Sequence, residues 1–129
     1  MGLQLRDIDV LEELYTEENP SEINLKNLAN LLGLTGKDLA GALHIDATVL
    51  SRNPYDSSNK YLKQWMMVFN LIITIIADSE PSLSDDQIKV KMQRWLKLPR
   101  PEFQGDSALE YMIKGKIRRV KNLLEQVVA

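Results

Sequence analysis

The most informative segment of the chain is Trp95-Leu96-Lys97-Leu98-Pro99-Arg100-Pro101-Glu102-Phe103-Gln104-Gly105-Asp106-Ser107-Ala108-Leu109-Glu110. Its two prolines cannot stand in a helix interior, because they lack the N–H donor and clash with the preceding turn. We therefore expect an extended, stiff loop that presents Phe103, followed by a turn at Gly105. Ser107 and Glu110 have the spacing of a capping box, which predicts that a short helix begins there.

Helices are predicted on both sides of this loop. After it, Gly115 favours the end of the short helix, and the last helix places apolar residues inward and basic residues outward. The inward residues are Ile117, Val120, Leu124 and Val127, and the outward ones are Lys116, Arg118, Arg119 and Lys121. Before the loop, a capping box at Ser84 and Gln87 begins a helix that ends at Trp95-Leu96.

The most apolar helix of the chain is predicted from Lys60 to Ala77. Its apolar residues form two faces, one with Trp65 and Phe69 and one with Val68 and Leu71. A helix that is apolar nearly all round must be covered on more than one side. This predicts a central helix in a bundle, a dimer interface, or both.

The front half predicts an amphipathic helix over residues 3–15 and three short helices over residues 24–54. The N-terminal helix could be a partner-binding arm or an ordinary packing helix. Gly33 is placed to end the first short helix, and Thr35 with Asp38 is placed to begin the second. Asp46 can cap the third helix, and Pro54 prevents its continuation. Residues 54–59 are rich in turn formers and predict a linker.

The order Leu39-Ala40, a turn at His44 and a capped following helix resembles the helix-turn-helix of Xre-type repressors. Glycine is usual at that turn, although histidine tolerates left-handed backbone better than most residues. The resemblance implies that the second helix of the motif faces the major groove. The implied DNA-binding residues are Lys37, Ala47, Thr48, Ser51 and Arg52. A degenerate motif that is retained as a scaffold is the alternative.

The C-terminal half resembles the toxin-binding domain of the Xre/MbcA/ParS antitoxins. The resemblance rests on Trp95-Leu96, Pro99, Phe103, Gly105, Ser107, Leu109-Glu110, Gly115, Val120 and Leu123-Leu124. It implies an all-α antitoxin with a helix-turn-helix module over residues 1–56 and a helical toxin-binding bundle over residues 57–129. The implied partners are a RES-domain toxin that consumes NAD, whose active-site cleft the antitoxin covers, and operator DNA. A homodimer through the Lys60–Ala77 helix or the N-terminal module is expected.

Within the C-terminal half, the residues that we expect to contact the toxin are Pro101, Phe103, Lys114, Lys116, Arg118 and Arg119. The alternative reading assigns Trp95 and Phe103 to packing and the bases to a solvated helix face. A different function, a stand-alone Xre-like regulator whose C-terminal domain only dimerises, also fits the same residues.

The charge of the chain is unevenly distributed. The net charge is -2 over 129 residues, yet residues 1–22 carry -6 and residues 87–129 carry +6. A basic C-terminal third on an acidic protein favours an acidic or polyanionic partner there.

Several classes of protein receive no support from the sequence. The absence of cysteine excludes disulfide frameworks, thiolate metal sites and cysteine nucleophiles. The single histidine, His44, has no ligand partner nearby in the sequence and is read as a turn residue. No phosphate loop or catalytic triad is present, so we expect no enzyme, cofactor or metal site. Without a signal sequence or a membrane-spanning run, the protein is expected to be soluble and cytoplasmic.

Overall fold

The computed structural model of the chain describes residues 10–11, 14, 22–46, 55–56 and 60–128. These residues form an all-α structure with one short antiparallel strand pair. The elements are β1 (Glu22–Ile23), α1 (Leu25–Leu32), α2 (Gly36–Leu43), β2 (Tyr55–Asp56), α3 (Lys60–Ser79), α4 (Asp85–Lys97), a 3-10 turn (Pro101–Phe103), α5 (Ala108–Ile113) and α6 (Ile117–Val128).

The predicted helix ends are confirmed where the structure describes them. The Thr35 hydroxyl accepts a hydrogen bond from the Asp38 N–H at 3.1 Å, which begins α2. Gly33 ends α1 in left-handed backbone with φ 69°. Complete capping boxes begin α4 at Ser84 and α5 at Ser107. Local side-chain chemistry therefore determines where these helices begin and end.

Helix α3 is the centre of the bundle, as its two apolar faces predict. Trp65, Phe69 and Ile73 are buried on one face, and Val68 is fully buried on the other. Helices α4 and α6 both pack along α3, and α2 contacts its first part. Burying each large apolar side chain contributes about 1.5–3 kcal/mol relative to leaving it exposed, so this packing dominates the stability of the fold.

The core is one cluster that includes residues from both ends of the chain. Leu11 and Leu14, the two described residues of the predicted N-terminal helix face, are buried together with Leu28, Phe69 and Leu124. Of the two roles left open for the N-terminal helix, packing is the one that these two leucines have. The boundary between residues 56 and 57 stays a prediction, although side chains from both sides of it share this cluster.

Side chains of α4 contact the C-terminal end of α1. The Gln93 side-chain amide donates a hydrogen bond to the Leu31 carbonyl oxygen at 2.9 Å. The Lys97 ammonium lies beside Gly33, at the negative end of the α1 dipole. The residues just before the proline loop, which comprises residues 98–107, are therefore attached to the front half of the chain.

One feature of the segment predicted as a linker differs from expectation. Tyr55 and Asp56 pair with Ile23 and Glu22 as an antiparallel ladder, so these two residues are part of the fold. A polar, turn-rich segment can still form backbone hydrogen bonds when a complementary edge lies close to it.

In the part of the chain that the structure describes, no helix is both long and apolar enough to cross a lipid bilayer.

Two glycines give opposite predictions for the same substitution. Gly33→Ala should lower the free energy of unfolding by about 1 kcal/mol, because alanine is strained in left-handed backbone. Gly41→Ala should raise it by roughly 0.5–1 kcal/mol, because alanine loses less backbone entropy in a helix. Gly41 lies within α2, and an added Cβ would meet no atom within 4 Å. Urea unfolding of both variants checks the signs, and equal shifts in the same direction would contradict this structure of α1 and α2.

Candidate interaction surface

The proline loop folds back on itself and is not extended as predicted. Pro99 and Ser107 form an antiparallel bridge, and the Arg100 N–H donates to the Asp106 carbonyl at 3.0 Å. Between them Pro101 begins a single 3-10 turn. Proline is compatible with the first position of a helical turn, since its φ suits the turn and its missing N–H has no partner there anyway. The predicted turn at Gly105 is confirmed, with φ 90°.

Phe103 points into the core, and the expectation that the loop presents it at the surface is wrong. Its side chain is 1% exposed, and its ring centroid lies 4.7 Å from that of Tyr111. Left-handed backbone at Gln104 reverses the chain directly after it. Burial of a phenylalanine outweighs the small cost of this reversal, so Phe103 anchors the loop.

The Arg100 side chain of the proline loop lies against Trp95, near the end of α4. The Arg100 guanidinium carbon is 4.4 Å from the centroid of the Trp95 ring, in cation–π geometry. Trp95 is only partly buried. The alternative reading of Trp95 as a packing residue is therefore closer to the structure, although its ring also forms part of a surface groove.

Four of the predicted contact residues lie in sequence from the end of α5 into the first turn of α6. Lys114, Lys116, Arg118 and Arg119 are all exposed. The first turn of α6 contains no acidic residue. Cations are favourable at the C-terminal end of a helix and unfavourable at its N-terminal end, where the dipole is positive. The bases of α6 thus stand at the end where they cost stability.

Lys114 differs from the other three because it is paired within the chain. Its ammonium lies 2.6 Å from an Asp106 carboxylate oxygen, which connects the end of α5 to the proline loop. The hydrogen bond and the charge of Asp106 raise the pKa of Lys114 above its usual value. A raised lysine pKa means that the pair's contribution is complete at neutral pH and is lost only as the pH rises through that raised pKa.

The remaining predicted toxin-contact residue, Pro101, is exposed on the 3-10 turn. The Asp106–Lys114 ion pair joins the proline loop, which carries Pro101, to the end of α5. The structure therefore brings Pro101, Lys114 and the α6 bases onto connected elements and places Phe103 beneath them. We call Lys116, Arg118 and Arg119 the basic turn.

Of the predicted DNA-binding residues, Lys37 alone falls within the described residues. It is exposed in the first turn of α2. Ala47, Thr48, Ser51 and Arg52 lie outside them, as does the third short helix, and their role in binding DNA stays a prediction.

His44 has the turn conformation that its position predicts. It ends α2 in left-handed backbone with φ 58°. Its ring stacks on Tyr61 of α3 with the centroids 4.2 Å apart. The described residues contain no group of three or more His, Asp or Glu side chains placed to hold a metal ion. The stacked His44 ring therefore connects the C-terminal turn of α2 to the central helix, α3.

The structure also reveals a groove that the sequence did not predict. It has a volume of about 440 Å³ and is enclosed by the later part of α3, by α4 and by the last turns of α6. Leu98 and Val127 line it and remain more than half exposed. Helical periodicity predicted that Val127 points inward, and its exposure shows that this prediction is wrong. The apolar pattern of α3 does not reveal where the helices that pack on it move apart.

No known family model, curated protein or solved structure matches this chain.

Truncation of Phe103 tests its role as an anchor. Phe103→Ala should lower the free energy of unfolding by about 3–5 kcal/mol, because it removes a buried aromatic ring and leaves a cavity. Glu102→Ala, at an exposed neighbour, should change it by less than about 0.5 kcal/mol. Chemical denaturation measures both. Similar, small effects of the two substitutions would show that Phe103 is not part of the core.

Proposed function

We propose that this protein is the antitoxin of a type II toxin–antitoxin pair and neutralises a RES-type toxin by covering its active site. In this proposal it is a binding protein without catalytic activity, and its front half binds operator DNA and represses the shared operon. The homodimer expected from α3 or the N-terminal module belongs to the same proposal. The order of residues from Trp95 to Leu124 is what connects the chain to that family.

The observation that best supports a partner at the C-terminal half is the basic turn. Arg118 and Arg119 are exposed and take part in no ion pair within the described part of the chain. The Lys116 ammonium lies 5.1 Å from the centroid of the Tyr111 ring and takes part in no ion pair within the described residues. Their positive charges repel one another and the positive end of the α6 dipole. Such an arrangement is explained by an acidic partner surface that balances these charges.

The scaffold below the basic turn is well packed, which supports recognition by a preformed surface. Phe103 and Tyr111 are buried beneath it, and the capping box at Ser107 fixes the direction of α5. A surface that is ordered before binding loses less conformational entropy when it meets its partner. We therefore assign toxin contact to Pro101, Lys114, Lys116, Arg118 and Arg119 and give Phe103 a supporting role.

The proposal is tested by co-expression with the product of the adjacent open reading frame. We expect a RES-type protein there, a stable complex on size exclusion, and rescue of growth when this chain is present. Failure of both complex formation and rescue would reject the antitoxin function. If the purified chain nevertheless shifted its own promoter, the stand-alone regulator would be the correct function.

Charge reversal at the basic turn should separate binding from stability. The double variant R118E/R119E should weaken the toxin complex by at least about tenfold, since it places like charges opposite an acidic surface. The same variant should be more stable than the native chain by roughly 0.3–1 kcal/mol for each charge, because acids suit a helix N-terminus. Calorimetric titration and thermal unfolding of the same samples measure the two effects.

Lys63→Glu provides a control with half the charge change, since it lowers the net charge by 2 and the double variant lowers it by 4. Lys63 is an exposed base on α3, outside the basic turn. Its reversal changes the net charge in the same direction and should leave the toxin affinity within about twofold of native. Equal losses for Lys63→Glu and the double variant would show a nonspecific charge effect and would count against the basic turn as a contact site.

A further inference from the structure

The groove between α3, α4 and α6 has the composition of a binding site. Its floor is aliphatic, with Ile72 and Ile76 from α3 and Leu123 from α6, and the Trp95 ring forms part of its wall. A volume of about 440 Å³ falls in the range of concave recognition sites. Binding here would bury apolar surface that the described residues leave open.

The two most exposed large hydrophobic residues of the described part of the chain lie at this groove. Val127 is 61% exposed and Leu98 is 51% exposed, ahead of Val90 at 48% and Met67 at 39%. Leu98 follows the end of α4, and Val127 lies near the end of α6, so they form two lips of one groove. A contiguous apolar surface with a polar rim marks an interaction site more often than scattered apolar residues do.

The rim carries an unbalanced positive charge. Its two acids are already engaged, because Glu80 lies 3.1 Å from Lys91 and Glu102 lies 4.0 Å from Arg100. Arg94 is exposed and has no ion-pair partner within the described residues. The buried Nε of Arg100 also lacks a hydrogen-bond acceptor. A carboxylate on the occupant would therefore find a complementary charge at Arg94.

The architecture of the walls determines the backbone form of the occupant. All three principal walls are helices, whose backbone N–H and C=O groups are already paired within each helix. An extended peptide would find no sheet edge to pair with and would leave its own backbone groups without partners. A helix satisfies these groups internally and can offer an apolar stripe to the groove.

We propose that this groove binds an amphipathic helix of another protein that has an apolar stripe flanked by an acidic residue opposite Arg94. The α3 residues that line the groove, from Ile72 to Ser79, extend over about 10 Å at the rise of an α-helix. This length matches about two turns of a bound helix with anchors at positions i, i+3 or i+4, and i+7. Leu98 and Val127 contact its sides.

This inference goes beyond the proposed function and does not rest on it. Arg119 and Val127 are separated by about 12 Å along α6, at 1.5 Å for each residue. The basic turn and the Val127 side of the groove therefore lie near opposite ends of the same helix. Pro101 lies between Arg100 and Glu102, which line the groove, so a toxin that contacts Pro101 also reaches the edge of the groove.

The experiment uses the full chain and a display library of peptides of about 16 residues, long enough to form helix in isolation. The library has a helix-favouring sequence with one face and its flanks randomised. Enriched peptides should carry apolar residues at i, i+3 or i+4, and i+7 and an Asp or Glu on one flank. Their binding is then measured by fluorescence anisotropy, with no toxin present.

Three single variants locate the binding. Val127→Asp should weaken the enriched peptides by at least about tenfold, because it places a charge on an apolar lip. Val90→Asp makes the same change at an exposed valine outside the groove and should leave binding unchanged. Arg94→Glu should weaken the acidic peptides and improve binding of matched peptides in which Lys replaces the acid. All three positions are solvent-facing, and circular dichroism checks that the variants fold.

The possible outcomes decide the proposal. It is overturned if no helical peptide is enriched, or if enriched peptides bind Val127→Asp as well as the native chain. It is also overturned if the native chain self-associates in ultracentrifugation and Val127→Asp abolishes this, since the occupant is then a second copy. Loss of toxin binding in R118E/R119E with peptide binding retained would show that the two surfaces act independently.

Discussion

The fold depends on covering one helix that is apolar on nearly all sides. Residues as different as Val68 and Phe69 are fully buried although they project from different faces of α3. Water must be excluded from both faces, so α4 and α6 pack along the helix and α2 closes its beginning. The groove lies where this cover is incomplete, along the later part of α3. The same constraint that stabilises the bundle therefore produces its most apolar exposed surface.

The proline loop shows how a small number of contacts hold an irregular segment in place. A bridge between Pro99 and Ser107, one 3-10 turn and the burial of Phe103 replace the repeating hydrogen bonds of a helix. Prolines reduce the entropy that the unfolded loop would otherwise lose on folding. The loop then holds Pro101 outward and Asp106 toward Lys114. Its function in the proposed complex is to position these groups, with its aromatic residue serving the core.

The two surfaces of the C-terminal half differ in physical character. The basic turn is polar, exposed and electrostatically unfavourable in the free chain, so salt and partner charge should govern what binds there. The groove is apolar with one unpaired rim charge, so burial of surface should govern its affinity and Arg94 its selectivity. Helix α6 contributes residues to both surfaces and packs along α3.

Features that depend on neighbours a few residues apart could be predicted from the sequence. The caps at Thr35, Ser84 and Ser107 and the left-handed residues Gly33 and His44 follow from local hydrogen bonding and local backbone sterics. The two-sided apolar pattern of α3 likewise determined its place at the centre. The inward direction of Phe103 could not be predicted from the sequence, because it depends on Tyr111 and on the bundle beneath the loop. The strand pair at Tyr55, the hydrogen bond from Gln93 to α1, and the groove likewise depend on tertiary contacts. These features join residues far apart in the chain, and local sequence patterns contain no information about such distances.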